Sequence, residues 1–153
     1  MATTFIKGLL GGVATTAVLA SGAMAQEVTL KLHQFLPAQA NVPKLVLDVW
    51  ADNVEKSSGG AIKVDRYPSM QLGGKPPELM DQAIDGVADV VWTVVGYTPG
   101  RFSLTKIVEL PFTGDDAEAI SVAYWQIHEK YLAKANEHKG VKVLGIFSHG
   151  PGV

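Results

Sequence analysis

Residues able to carry proton, metal or nucleophile chemistry are sparse in this chain, and their spacing withholds most of it. The 153 residues include four histidines, at positions 33, 128, 138 and 149, and no cysteine. Thiol catalysis and cysteine-ligated metal are thereby excluded. No two histidines have the i, i+4 spacing that turns both rings to one helix face for zinc, and none sits in a Glu-flanked metalloprotease motif. His128 and His138 fall on or beside a long helical pattern, where an ordinary solvated or half-buried histidine is the better reading. His33 and His149 stand at the ends of strand patterns, which makes them candidates for ligand contact.

Gly73, Gly74 and Lys75 precede a helix and invite a phosphate-loop reading, because backbone N–H groups at a helix start attract anions. The Walker pattern needs Ser or Thr after the lysine, and Pro76 stands there, so turn geometry is the better account. Ser148 and His149 are neighbours that a strand would point to opposite faces, and no Gly-x-Ser-x-Gly elbow surrounds them, which argues against a nucleophile. Asp115 and Asp116 open a helix, where negative charge suits the dipole without any catalytic role. What is left is aromatic. Phe35, Trp92 and Tyr97 each lie at or just past a strand end, where rings can line an apolar pocket with a polar handle. Core packing competes with that reading for Phe35 and Trp92, and less for Tyr97 in its Gly-rich loop.

Elements of two periods must position these residues. Residues 27–35 alternate, with Val28, Leu30 and Leu32 opposite Thr29, Lys31 and His33, which predicts a strand. From Asn41, the expected N-cap, Val42, Leu45, Val46, Val49, Trp50 and Val54 recur at threes and fours, with Pro43 in the first turn: an amphipathic helix, stopped by residues 57–60. Residues 61–67 alternate again and complete a β-α-β unit. A second helix opens at Pro76 and Pro77 and closes at Gly86. Residues 87–95, almost continuously apolar, predict a strand covered on both faces. Residues 102–112 fit short helix or strand. Thr113 and Asp116 match a capping box before a long helix with Ile120, Tyr124, Ile127 and Tyr131 on one face, and residues 141–147 predict a further strand. Strands alternating with helices imply an α/β fold with a parallel or mixed sheet flanked by helices, whose ligands bind beyond the carboxyl ends of the strands.

Composition bounds the destination. At 47% apolar and 18% charged residues the chain is globular, and a net charge of -2 gives no basic face for nucleic acid. Residues 1–25 stand apart: one charge, Lys7, then an apolar run of about 13 residues, short of the roughly 20 that span a bilayer, then Ala23, Met24 and Ala25. This is the order of a secretory signal peptide cleaved after Ala25, leaving a mildly acidic mature chain that is not inserted in the membrane. The lack of cysteine also removes the site on which a bacterial lipoprotein is lipidated, so a soluble periplasmic protein is expected.

Three segments now carry a resemblance. The run Tyr67, Pro68, Ser69, Met70, Gln71, Leu72, Gly73, then Asp85, Gly86, Val87, Ala88, Asp89, then Glu109, Leu110, Pro111, Phe112 resembles the dicarboxylate-binding (DctP) type of solute-binding protein from tripartite ATP-independent periplasmic (TRAP) transporters. The likeness extends over essentially the whole mature chain. It implies a two-lobed receptor that closes over an organic acid and hands it to TRAP membrane permease subunits, without cofactor or catalysis. It places ligand contacts at His33 and Phe35 after the first strand and at Trp92, Val94 and Tyr97 after the third, and reads residues 148–153, including His149, as the start of the crossing to a second lobe. In the family an arginine of that second lobe clamps the ligand carboxylate by paired hydrogen bonds, and no residue here matches it. The expected organisation is therefore a signal peptide over 1–25 and an amino-terminal α/β lobe over 26–147, truncated at the hinge, which alone binds organic acids poorly. The ring-bearing positions favour a carboxylate with an apolar body over a sugar acid. A periplasmic α/β enzyme and a stand-alone accessory protein of native short length are the rival readings.

Overall fold

A computed structural model describes residues 28–148 of the chain. The signal-peptide reading and His149 lie outside these residues. Three strands form a parallel sheet in the order β2-β1-β3. Strand β1 (Val28–Gln34) is central, pairing along its length with β2 (Ile62–Tyr67) and at its carboxyl end with β3 (Val90–Trp92). Burial along β1 deepens toward that end, where Leu32, His33 and Gln34 are all enclosed.

The covering helices explain this gradient. Alternation sends Leu32 to one face of the sheet, where with Val64 and Ala51 it forms a fully buried cluster under α1 (Asp48–Ser57). His33 points to the other face, toward α2 (Leu79–Ile84), which is entered through a short 3-10 turn (Pro76–Glu78). Helix α1 stops where expected: Gly59 and Gly60 adopt left-handed φ of 63° and 84°, which lets the Gly60 N–H reach back to the Glu55 carbonyl at 3.0 Å.

The face of this helix differs from the sequence expectation. The chain is already helical at Asn41, which makes no cap, and residues Pro43–Leu47 form a π turn running into α1. One extra residue per turn shifts the phase of everything after it. Pro43, Leu47, Trp50, Ala51 and Val54 therefore turn to the sheet, whereas Leu45, Val46 and Val49 are 63%, 42% and 49% exposed. Ala51 is fully enclosed between the helix and the sheet.

Arg66 fastens the same helix from β2. It shares the face of Ile62 and Val64 and meets three carboxylates of α1: Asp52, with Asp48 and Glu55 each at 3.4 Å. Glu55 also accepts the Val64 N–H at 2.9 Å. Arg66 is thus committed to holding α1 against the sheet. Replacing Arg66 by Met should cost about 1 kcal/mol, a modest value because the guanidinium is partly solvated, read as a lower urea midpoint with an unchanged slope.

Four further expectations are corrected. The third strand is only Val90–Trp92: Gly86 and the residues after it turn back, with Val87 and Ala88 N–H groups on the Gln82 carbonyl, and residues Val95–Tyr97 already form a 3-10 turn. Asp116, not Thr113, caps α3 (Ala117–Lys130), accepting the Ala119 N–H at 2.7 Å, while the Thr113 hydroxyl donates to the Leu110 carbonyl. The buried stripe of α3 is Tyr124 and His128, so His128 is enclosed and not half-solvated, and Ile127 and Tyr131 face outward. Residues 141–147 form no strand, because a strand needs a ladder and no β partner pairs with them among the described residues. The ambiguous segment resolves as a 3-10 turn at Thr105–Glu109, and a second such turn, Leu132–Ala135, follows α3.

Candidate functional site: an aromatic wall at the carboxyl edge of the sheet

Parallel pairing brings the ends of β1 and β3 side by side, with Gln34 opposite Trp92. Phe35, the next residue, stacks on Trp92 with ring centroids 5.0 Å apart and 23° between planes. Tyr97, from the turn after β3, tilts against Phe35 at 5.3 Å, and the Phe147 ring lies 6.4 Å from that of Trp92 with 18° between planes. Three of the six residues singled out from sequence are therefore assembled in one wall. Phe35 and Trp92 are half-buried and Tyr97 is exposed. Val94 sits at its margin in extended conformation, its carbonyl accepting the Tyr97 N–H at 3.1 Å.

His33 is placed differently. It is 0% exposed, and both ring nitrogens are occupied within the protein. The Leu72 N–H can only donate, so Nε2 accepts it at 3.3 Å and Nδ1 donates to the Gln82 side-chain oxygen at 2.8 Å. Gln82 in turn donates to the Gly73 carbonyl at 3.0 Å. His33 thus ties β1 to α2 and to the 67–73 segment, and its surroundings give it a positioning role behind the wall.

The same is true of each motif that carries the family resemblance. Ser69 and Met70, both with left-handed φ, direct their N–H groups to the carbonyls of Leu36 and Gln34 at 3.0 and 3.1 Å, and so hold the turn that carries Phe35. Gln34 reinforces that turn with side-chain hydrogen bonds to both the N–H and the carbonyl of Leu36. Asp89 exchanges hydrogen bonds with the backbone of Lys31, at 2.8 Å and 3.0 Å, and sets the register of β3 against β1. Glu109 accepts the Gly96 N–H at 3.1 Å, and a Cβ on Gly96 would lie 2.7 Å from its other oxygen. The turn bearing Tyr97 therefore sits close against a carboxylate, which would have to shift to admit a side chain at position 96. Gly73 and Gly74 resolve as turn geometry: the Lys75 N–H is already taken by Glu78 at 3.2 Å.

The start of the turn that ends at Glu109 is held by a polar clasp from Tyr124 on α3 and Glu137 beyond it. The Tyr124 hydroxyl donates to the Thr105 carbonyl. Glu137 accepts the N–H groups of Leu104 and Thr105 at 2.8 Å and the Thr105 hydroxyl at 2.7 Å. Burial pushes the Glu137 carboxyl up, but these hydrogen bonds, with one from Ser103, more than offset it and hold the group below the ordinary range. Burial, with Glu109 and Glu137 nearby, drives the Tyr124 hydroxyl far above its usual value, which keeps it a donor. Phe147, Gln34, Gln82, Glu109 and Glu137 all escaped the sequence reading. Only Glu109 stood in a recognised motif, and nothing local marked the rest.

The lobe is a parallel α/β unit with a wall of aromatic rings at the carboxyl edge of its sheet. The chain belongs to the bacterial extracellular solute-binding protein family 7 (DctP), whose model matches residues 34–151. It is 48% identical, with a TM-score of 0.77 over 82% of its length, to a TRAP solute-binding protein from an unidentified marine microbe crystallised with 3-hydroxybenzoate. A TRAP solute-binding protein from Rhodoferax ferrireducens, with copurified benzoate, is 48% identical with a TM-score of 0.76, matching 81% of this chain and 38% of its own. One from Bordetella bronchiseptica with bound mandelate is 41% identical, with a TM-score of 0.75, matching 81% of this chain and 39% of its own. Among curated proteins, the outer membrane transporter protein TsaT of Comamonas testosteroni is 34% identical over 92% of this chain. The chain spans 41% of the length of that relative and 39% of the 3-hydroxybenzoate-bound structure. Among the described residues no helix is long and apolar enough to cross a membrane.

Proposed function

We propose that this chain is the ring-gripping lobe of a periplasmic receptor that captures a small aromatic carboxylate and presents it to a TRAP-type permease. The observation that carries this reading is the stack of Phe35, Trp92 and Tyr97 at the carboxyl edge of the sheet. A benzoate-sized ring packs on such faces in offset or edge-on geometry, whereas a short aliphatic dicarboxylate leaves them wet. The ligands named for the similar structures, 3-hydroxybenzoate, benzoate and mandelate, are all ring-bearing acids. They support an aromatic acid over the dicarboxylate that the family's type name suggests. The signal-peptide pattern of residues 1–25 supports the periplasm.

Mechanistically, this lobe supplies the apolar wall and a second lobe the carboxylate clamp. Ligand would first rest on the open wall, and closure follows only from its greater affinity for the closed state. The wall alone is then a weak site. NMR titration of residues 26–153 should give millimolar binding of benzoate, tighter than succinate, and Trp92→Ala should weaken benzoate three- to tenfold, about 0.5–1.5 kcal/mol of ring contact. Succinate binding as tightly as benzoate would overturn the aromatic assignment. Micromolar affinity would instead overturn the need for a second-lobe clamp.

A further inference from the structure

A second cluster lies on α3, apart from the aromatic wall. His128, in the last turn of the helix, and His138, just after the 3-10 turn that follows, meet edge to face with ring centroids 5.5 Å apart and planes at 84°. Trp125 stacks on His128 at 5.6 Å and Phe102 tilts over His138 at 4.9 Å, so both rings are oriented by apolar packing. His128 is only 5% exposed, yet its Nδ1 is buried without a hydrogen-bond partner. Buried imidazole nitrogens ordinarily find one. The two rings line a cavity of about 220 Å³ together with Ala133, Asn136, Val141 and Val143, so there is room for a partner that the protein does not itself supply.

We propose that His128 and His138 form a two-imidazole site for a divalent first-row transition metal, Zn²⁺ or Cu²⁺, independent of the organic-acid site. With metal–nitrogen bonds of about 2.0–2.1 Å, two imidazoles sharing one ion have centroids roughly 5 Å apart, close to the separation here. Among the described residues no third His, Cys, Asp or Glu joins the pair, so water or the Asn136 amide oxygen completes the coordination and the ion exchanges readily. Bound metal would link the end of α3 to the turn after it.

The test is calorimetric titration of ZnCl₂ and CuSO₄ into the untagged, metal-stripped chain at pH 7.5, with Cu²⁺ EPR to count ligand nitrogens. One equivalent should bind at micromolar affinity, with two imidazole nitrogens in the EPR pattern. His138→Ala, at a half-buried position, should weaken binding at least tenfold, and His149→Ala should leave it unchanged. Binding that survives His138→Ala, disappears with His149→Ala, or is absent at 100-micromolar metal overturns the site. Because EPR reads the unmodified protein, a pattern from fewer than two nitrogens overturns it even if the His138 variant fails to fold.

Discussion

Replacing His33 by alanine should lower the unfolding free energy by about 3–5 kcal/mol, which is severe for a single substitution. Two losses combine. The ring is fully enclosed, so its removal leaves a cavity under α2. It also leaves the Leu72 N–H and the Gln82 side-chain oxygen without their partners, and stranding a buried polar group costs about 1–3 kcal/mol. His33→Gln, which keeps one donor and one acceptor, should recover part of the loss. Urea unfolding followed by tryptophan fluorescence measures both. The substitution separates two roles for this residue: a group that holds the scaffold lowers the midpoint strongly, whereas a ligand contact would lower benzoate affinity with the midpoint intact. The second outcome would return His33 to the ligand site where its position at a strand end first placed it.

Glu137→Ala should cost about 2–4 kcal/mol, because Thr105, itself 0% exposed, loses the acceptor of both its N–H and its hydroxyl, and Leu104 loses a third bond. Glu137→Gln keeps one acceptor oxygen and should cost about half as much. The consequence travels farther than the clasp. Thr105 begins the turn that ends at Glu109, and Glu109 holds the Gly96 N–H, so loosening the turn should free Tyr97 from Phe35. Chemical shifts of Tyr97 ring protons, displaced by the Phe35 ring in the native packing, report that release. If stability falls while those shifts stay fixed, Glu109 holds its turn without help from the Glu137 clasp.

The likeness in type between His33 and Phe35, two residues apart at the end of one strand, did not foretell their different fates. Sequence placed both at the end of the first strand, where His33 is the last but one residue of β1 and Phe35 the first beyond it. Alternation then sends His33 under α2, and only the approach of Gln82 and the 67–73 segment decides that its nitrogens are already taken. The helix face was misjudged for a related reason. A count in steps of 3.6 assumes constant phase, and the π turn at Pro43–Leu47 breaks it, leaving Leu45, Val46 and Val49 exposed. Residues 141–147 alternate as a strand should, but alternation cannot supply a neighbour with free backbone groups.

Local patterning by itself determined the β-α-β order, the two glycine stops and the convergence of Phe35, Trp92 and Tyr97. Periodicity and turn chemistry are short-range, and parallel strands joined by helices must end on the same edge. Tertiary structure alone decided that the family motifs are props behind the wall and that Phe147 joins it. It also decided that His128 and His138 meet with one nitrogen unmatched. These depend on which distant backbone N–H, carboxylate or ring arrives at a buried group. Burial turns an unmatched group from nearly neutral into costly, and that is settled only when the chain packs.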